Sequence, residues 1–231
     1  AAGLELISEI ESDVPNRHMT TGTDHIWSQS RMDRDRENHI RTHARRVADE
    51  LNSAVERRKL MRVIISGPVE ATSIFESELP RRIQQMIVET ISLPFDAAPD
   101  KLLAEVGKVL ERAEEEDETR LVESLITAAM KGDRAVLGIN DTLEAINEGR
   151  VMRMVVAKGY RAGGSQCRSC NVLVAEDAER CSYCGGEFAP APDLVNRASH
   201  KVLEQSGRVQ IVSGTAAEKL NSAGIGAMLR F

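Results

Sequence analysis

Cys167, Cys170, Cys181 and Cys184 follow the pattern C-x2-C-x10-C-x2-C and are the four cysteines of the chain. A thiolate is a soft, strong metal ligand, and each C-x2-C pair presents two of them on one side of a tight turn. Two such turns complete a tetrahedron, the closed geometry of a structural zinc site. Four protein thiolates leave no position for water, so a catalytic zinc does not fit. Two disulfides are the alternative. No secretion signal opens the chain, which favours reduced thiols in a reducing, cytoplasmic compartment. Gly163-Gly164 precede the first pair and Gly185-Gly186 follow the last, and the ten residues between the pairs suffice for a small hairpin. The metal replaces a core that so short an insert does not build.

A second group lies near the start. Between Arg17 and Arg46 there are seven arginines against Asp24, Asp33, Asp35 and Glu37, in a chain of formal net charge −6. A negative protein with one concentrated basic element suits contact with a polyanion at one place, not a bulk nucleic-acid coat. Arg31, Arg34, Arg36, Arg41 and Arg45 share one broad side of an expected helix. They either meet phosphates or form a solvated face balanced by Asp33, Asp35 and Glu37. His39 and His43 stand one turn apart, with no third metal ligand evident. The run from Glu114 to Glu118 reads as a solvated helix end.

The elements that must position these groups follow from periodicity and breakers. Residues 4–10 alternate as a strand does, and 11–28 read as a long loop interrupted by Pro15 and Gly22. A helix is expected from Ser30, with Ile40, Ala44, Val47, Ala48, Leu51 and Val55 on one face. Strands at 61–66 and 87–93 flank a helix opened by Pro80. A helix over 100–130 is expected to break in the acidic run. After Gly132 come a strand at 135–138, a helix capped by Asn140 and ending at Gly149, and a strand at 151–156. The cysteine segment follows, then a helix from Pro192-Asp193 to Gly207. A strand at 209–212, a helix over 216–221 and a terminal strand from Ile225 complete the chain.

This alternation predicts an α/β protein of two layered domains, 1–131 and 132–231, with a mostly parallel sheet in the second and a zinc insert at 163–188. At 231 residues two domains are the prior expectation, and with aromatics at 3% the cores must rest on aliphatic side chains. No apolar run is long enough to span a bilayer. The chain does not begin with Met, and we read it as a piece of a longer protein.

The segments AVLGINDTLEAINEGRV, MRMVV, VNRASHKVLEQSGRVQIV and AGIGAMLRF resemble the C-terminal domain of the archaeo-eukaryotic class-I peptide-chain release factors. Gln29-Ser30, the basic helix, MRVIISGPVE and ELPRRIQQMI are similar to the middle domain of that family, and the zinc insert sits where archaeal members place a small cysteine subdomain. The sequence looks nearer to divergent bacterial members of that family, such as the Balon-type ribosome hibernation proteins, than to its other members. The codon-reading N-terminal domain of the family has no counterpart here.

The resemblance implies a ribosome-binding translation factor that contacts rRNA and tRNA, directs its middle domain to the peptidyl-transferase centre and recruits a translational GTPase. It also exposes a departure. The family's reactive tip is Gly-Gly-Gln, whereas Trp27-Ser28-Gln29-Ser30 stands here. Paired glycines reach backbone conformations closed to residues with a Cβ, and these let a backbone amide and the Gln approach an ester. Gln29 is therefore either a retained catalytic group for peptidyl-tRNA hydrolysis or an ordinary polar residue at a helix start. Trp27 either anchors the loop or stacks on an RNA base, beside Ser30 and the arginines. Ribosome occupancy without hydrolysis, in hibernation or rescue, is the leading expectation, and peptidyl-tRNA hydrolase is the alternative.

Overall fold

The computed structural model describes residues 4–11, 25–176, 179–220 and 223–231, and for 25–33 the backbone alone. The chain divides into two compact units, Ala1–Glu111 and Arg112–Phe231.

In the first unit, helix α1 (His25–Arg58) is followed by strand β1 (Val63–Gly67), helices α2 (Val69–Glu78) and α3 (Arg81–Gln84) and strand β2 (Ile87–Ser92). No glycine or proline lies between Gly22 and Gly67, so nothing in the backbone chemistry stops α1 short of His25. The two strands pair in parallel, from Val63 opposite Ile87 to Gly67 opposite Ser92. Ala48 and Val55 of α1 bury against Val63, Ile65, Leu79 and Ile83, the stripe expected from the helical period. α2 is absent from the expectation. It is held to α1 by Glu78, whose carboxylate accepts from Arg41 at 3.2 Å and Arg45 at 2.7 Å. The Glu78 side chain is 12% exposed whereas those of Arg41 and Arg45 remain largely open to solvent, so the carboxylate is the partly desolvated member of the contact.

Residues 4–10 make no strand. They run extended beside α1, where Leu6, Ile7 and Ile10 line a cleft with Val47, Leu51 and Ala54. Glu5 is tied to the last turn of α1 by two Arg58 hydrogen bonds of 2.8 Å. Their alternation has no neighbouring strand to pair with.

Helix α4 (Pro99–Met130) crosses the division between the units without a break at the acidic run. Leu, Ala, Glu, Lys and Arg dominate it, all good helix formers. The expected boundary near 132 is where α4 ends. The compact units divide earlier because Val122 and Leu125 of α4 belong to the core of the second unit.

The second unit has a four-stranded sheet of order β3-β9-β4-β8, made of β3 (Ala135–Leu137), β4 (Val151–Ala157), β8 (Arg208–Val212) and β9 (Ile225–Leu229). Only β4 and β8 run parallel; β9 is antiparallel to both β3 and β4. The sheet is thus mixed, not mostly parallel, because the last strand enters between two earlier ones. Alternate residues serve two cores. Met154 and Val156 face α5 (Ile139–Asn147) and α6 (Leu194–Glu204), whereas Val155 and Ala157 face α4 and α7 (Gly214–Leu220). Gly138, not Asn140, occupies the cap position of α5, and Asn140 lies inside the helix. Asp193 caps α6 by accepting from the Asn196 amide at 3.3 Å.

The acidic run has a packing role. The Glu118 carboxylate accepts from the Ser213 amide at 2.8 Å, just ahead of α7, and so tethers α7 to α4. Arg120 pairs with Glu116 and Asp117 along the helix. Glu118→Ala should cost about 1.5–3 kcal/mol, the range for a hydrogen bond to a charged group, measured as a shift in urea midpoint against Glu115→Ala, which should be near neutral.

The guanidinium of Arg45, aided by Arg41, holds the Glu78 carboxyl below the usual range, burial opposing it in part. A lowered folded pKa stabilises above the unfolded value, and the contribution fades as pH falls through the lowered one. Glu78→Gln should therefore lower the melting temperature at neutral pH and lose that deficit on acidification. A deficit independent of pH would remove the ionic account of this contact.

Candidate functional site

The cysteine insert is a three-stranded antiparallel sheet of order β6-β5-β7, from β5 (Gly164–Cys167), β6 (Leu173–Val174) and β7 (Phe188–Ala191). β5 delivers Cys167, and the turn behind it places Cys170, closed by the Asn171 amide on the Cys167 carbonyl at 3.1 Å. The second turn mirrors it: the Gly185 amide donates to the Cys181 carbonyl at 2.8 Å and the Cys181 amide to that of Gly186 at 2.8 Å. Gly185 sits at φ +72°, which disfavours a side chain, and a Cβ on Gly186 would lie 2.6 Å from Ser169 Oγ and 3.3 Å from Cys167 Sγ. The glycine pair lets the two turns meet.

All four sulfurs lie within 4.8 Å of one another. Cys167 and Cys184 are 3.5 Å apart, as are Cys170 and Cys181. A disulfide needs about 2.05 Å, whereas a tetrahedron with metal–sulfur bonds of about 2.3 Å has edges of about 3.8 Å. The cluster fits a metal, and the cysteines are unbridged. Its electrostatics agree. Amides of Cys170 and Ser169 donate to Cys167 and lower it to about 6, with the Cys170 and Cys184 thiols assisting. The Val172 amide favours a Cys170 thiolate too, but the other three thiols and burial outweigh it and push Cys170 up to about 12. Four thiols this close resist joint ionisation unless a cation compensates them.

The insert does more than project from the second unit. Leu173 and Ala191 join the core of Leu143, Ile146 and Leu194. Asn147 imitates a strand partner: its side chain donates to the Leu173 carbonyl at 2.8 Å and accepts from the Leu173 amide at 3.0 Å. Lys201 Nζ bridges Asn147 Oδ1 and the Asn171 carbonyl, each at 2.9 Å. Burial lowers its pKa, against the opposing charges of Cys170 and Glu204. Sequence reasoning missed both residues, since their partners stand 26 to 54 positions away.

The basic element lies on α1. Trp27, Ser28, Gln29, Ser30 and Arg31 fall in its first turns; the helix expected from Ser30 starts earlier, so the backbone of Trp27-Ser28-Gln29 is helical and not the loop expected, and the side chains of all five lie outside the described residues. Arg34 is exposed, and Arg36 is half-buried with its Nε lacking a hydrogen-bond partner. Arg41 and Arg45 converge on Glu78, and Arg41 also meets Glu37 at 3.2 Å. Among the described residues the four thiols are the one group placed to hold a metal; His39 and His43 gain no third ligand. No described helix is long and apolar enough to cross a membrane.

The fold has relatives. Yeast Dom34, a translation termination-like factor from S. cerevisiae involved in RNA quality control and interacting with Hbs1, aligns at TM-score 0.50 and 11% identity over 83% of this chain. An archaeal Pelota, in a model of its ribosome-bound state with ABCE1, aligns at TM-score 0.53 and 17% identity over 85%. The chain spans about half the length of these proteins, 52% and 51%. At such identity the likeness establishes the fold alone. No curated protein matches by sequence. Residues 3–118, half of the chain, match the family described as Bacterial archaeo-eukaryotic release factor family 10, and the chain belongs to that family.

Proposed function

We propose that this chain is a ribosome-associated translation factor that enters the A site with its first unit directed to the peptidyl-transferase centre and does not hydrolyse peptidyl-tRNA. The observation that carries the reading is the release-factor family match over 3–118, which contains the whole basic helix. Support comes from the fold shared with a Pelota described as ribosome-bound and with Dom34, described as interacting with Hbs1. We extend from these a translational GTPase as partner. The reading places Trp27, Ser30, Arg31, Arg34 and Arg36 against RNA phosphates and bases. Arg41 and Arg45 then act chiefly by fixing α1 to α2. Trp27-Ser28-Gln29 lacks the glycines that shape a reactive loop, which supports occupancy in hibernation or rescue over catalysis.

The same reading takes the four thiols as the ligands of one structural zinc. The ion would cross-link the two glycine-bearing turns and supply no reaction chemistry.

Metal analysis of protein purified without chelator should give one zinc per chain, lost in Cys181→Ser. Because Leu173, Ala191 and Asn147 anchor the insert independently, that variant should loosen the insert and leave the surrounding sheet folded, as amide exchange would report. Protein free of metal with four titratable thiols would end the zinc assignment.

Cosedimentation with purified ribosomes should weaken steeply with salt, by a log–log slope of about −0.7 to −0.9 per phosphate neutralised. Arg31→Glu with Arg34→Glu should abolish binding in chains that still melt cooperatively, and binding unchanged by the pair would dispose of the RNA contact. Wild type should release little or no peptide from peptidyl-tRNA. Robust release that disappears in Gln29→Ala would establish the hydrolase reading instead.

A further inference from the structure

The sheet of the second unit gathers cations at one end. β3, β4 and β8 begin there and β9 ends there, as the register shows: Ala135 stands opposite Met228, and Arg153 opposite both Met228 and Arg208. The Leu229 amide donates to the Arg134 carbonyl at 2.8 Å and the Arg230 amide to that of Arg150 at 2.8 Å. Arg134, Arg150, Arg153, Arg208 and Arg230 therefore line one edge of one layer, with Lys131 just past the end of α4.

Arg153 and Arg208 are the informative pair. They are register partners on adjacent strands, so their side chains leave the same face of the sheet, side by side. Directly opposed like charges destabilise a sheet. Arg208 is exposed and Arg153 half-buried, and neither side chain has a hydrogen bond or ion pair among the described residues. The acids nearby answer other groups: Asp133 meets Arg134 at 3.5 Å and Glu148 meets Arg150 at 2.5 Å. A protein of net charge −6 thus keeps two adjacent arginines uncompensated, in a cluster where cations outnumber acids.

We propose that this end of the sheet is a second RNA-backbone-binding surface, in which Arg153 and Arg208 grip phosphates and Arg134, Arg230 and Lys131 extend the track. Arginine predominates, and its planar fork pairs bidentately with a phosphate. A polymer with a phosphate at every nucleotide meets several cations in a row, as an isolated carboxylate does not. The choice of RNA rests on the translation-factor reading; the surface itself does not.

The test uses the full chain and a fluorescein-labelled RNA hairpin, with anisotropy titrated across a potassium chloride series. Arg153→Gln with Arg208→Gln should weaken binding several-fold and make the log–log salt slope shallower by about 2, one for each phosphate no longer neutralised. Should the half-buried Arg153 position prove intolerant, the exposed Arg208→Gln alone should make the slope shallower by about 1. A folded variant with unchanged affinity and slope overturns the proposal. Reduced ribosome cosedimentation with unchanged hairpin binding also overturns it, and assigns the surface to an acidic protein. A weakened hairpin complex in a chain that never cosediments with ribosomes would retain this surface while refuting the ribosome reading.

Discussion

The second unit depends on the last strand lying between earlier ones. β9 hydrogen-bonds to β3 on one edge and β4 on the other. Its Ile225, Ala227 and Leu229 fill one core, while Met228 packs on the other. Gly226 makes room on that second face: a Cβ there would lie 2.8 Å from the Val136 carbonyl oxygen and 3.1 Å from a Leu125 methyl. A smooth glycine position lets α4 lie close to the sheet, and Val122 and Leu125, fully buried, fill the contact. Burial of such side chains is worth roughly 1.5–3 kcal/mol each. Formation of this layer waits for the C-terminus to arrive, a long-range pairing of the kind that slows folding. The cysteine insert and the arginine-lined edge are both carried on the layer so made.

What could be read from the sequence was what is local. The strands at 151–156 and 209–212 carry β-branched runs with a glycine shortly after, the terminal strand starts directly after Gly224, and the cysteine spacing specifies its turns. Errors arose where a distant partner decided the outcome. Residues 4–10 alternate like a strand, but among the described residues no strand pairs with them, and they lie against α1 instead. Asn140 is a good cap by type, yet Gly138 already occupies the cap position. α2 segregates its apolar residues weakly, and its attachment through Glu78 lies 33 and 37 positions from Arg45 and Arg41. The acidic run looked solvated because Ser213, which Glu118 holds, is 95 positions away. The mixed direction of the sheet escaped for the same reason, since strand order is not written in periodicity.

The arginines separate into two kinds by their partners. Arg41 and Arg45 are consumed by Glu78, and Arg58 by Glu5, so much of the basic charge on α1 builds the first unit. Arg153 and Arg208 have no such employment. Charge density in sequence pointed to the first group, and only the register of β4 with β8 brings out the second. In the proposed reading the two surfaces divide the task, with the start of α1 reaching towards the reactive centre and the sheet edge holding phosphates elsewhere.

The central claim, occupancy of the ribosomal A site, is tested most directly by a cryo-electron microscopy map of the full chain bound to purified ribosomes. The account expects density for the first unit in the A site, with the start of α1 directed at the peptidyl-transferase centre and no cleavage of a peptidyl-tRNA in the P site. Density confined to another ribosomal surface, or an A site left empty at saturating protein, would contradict it.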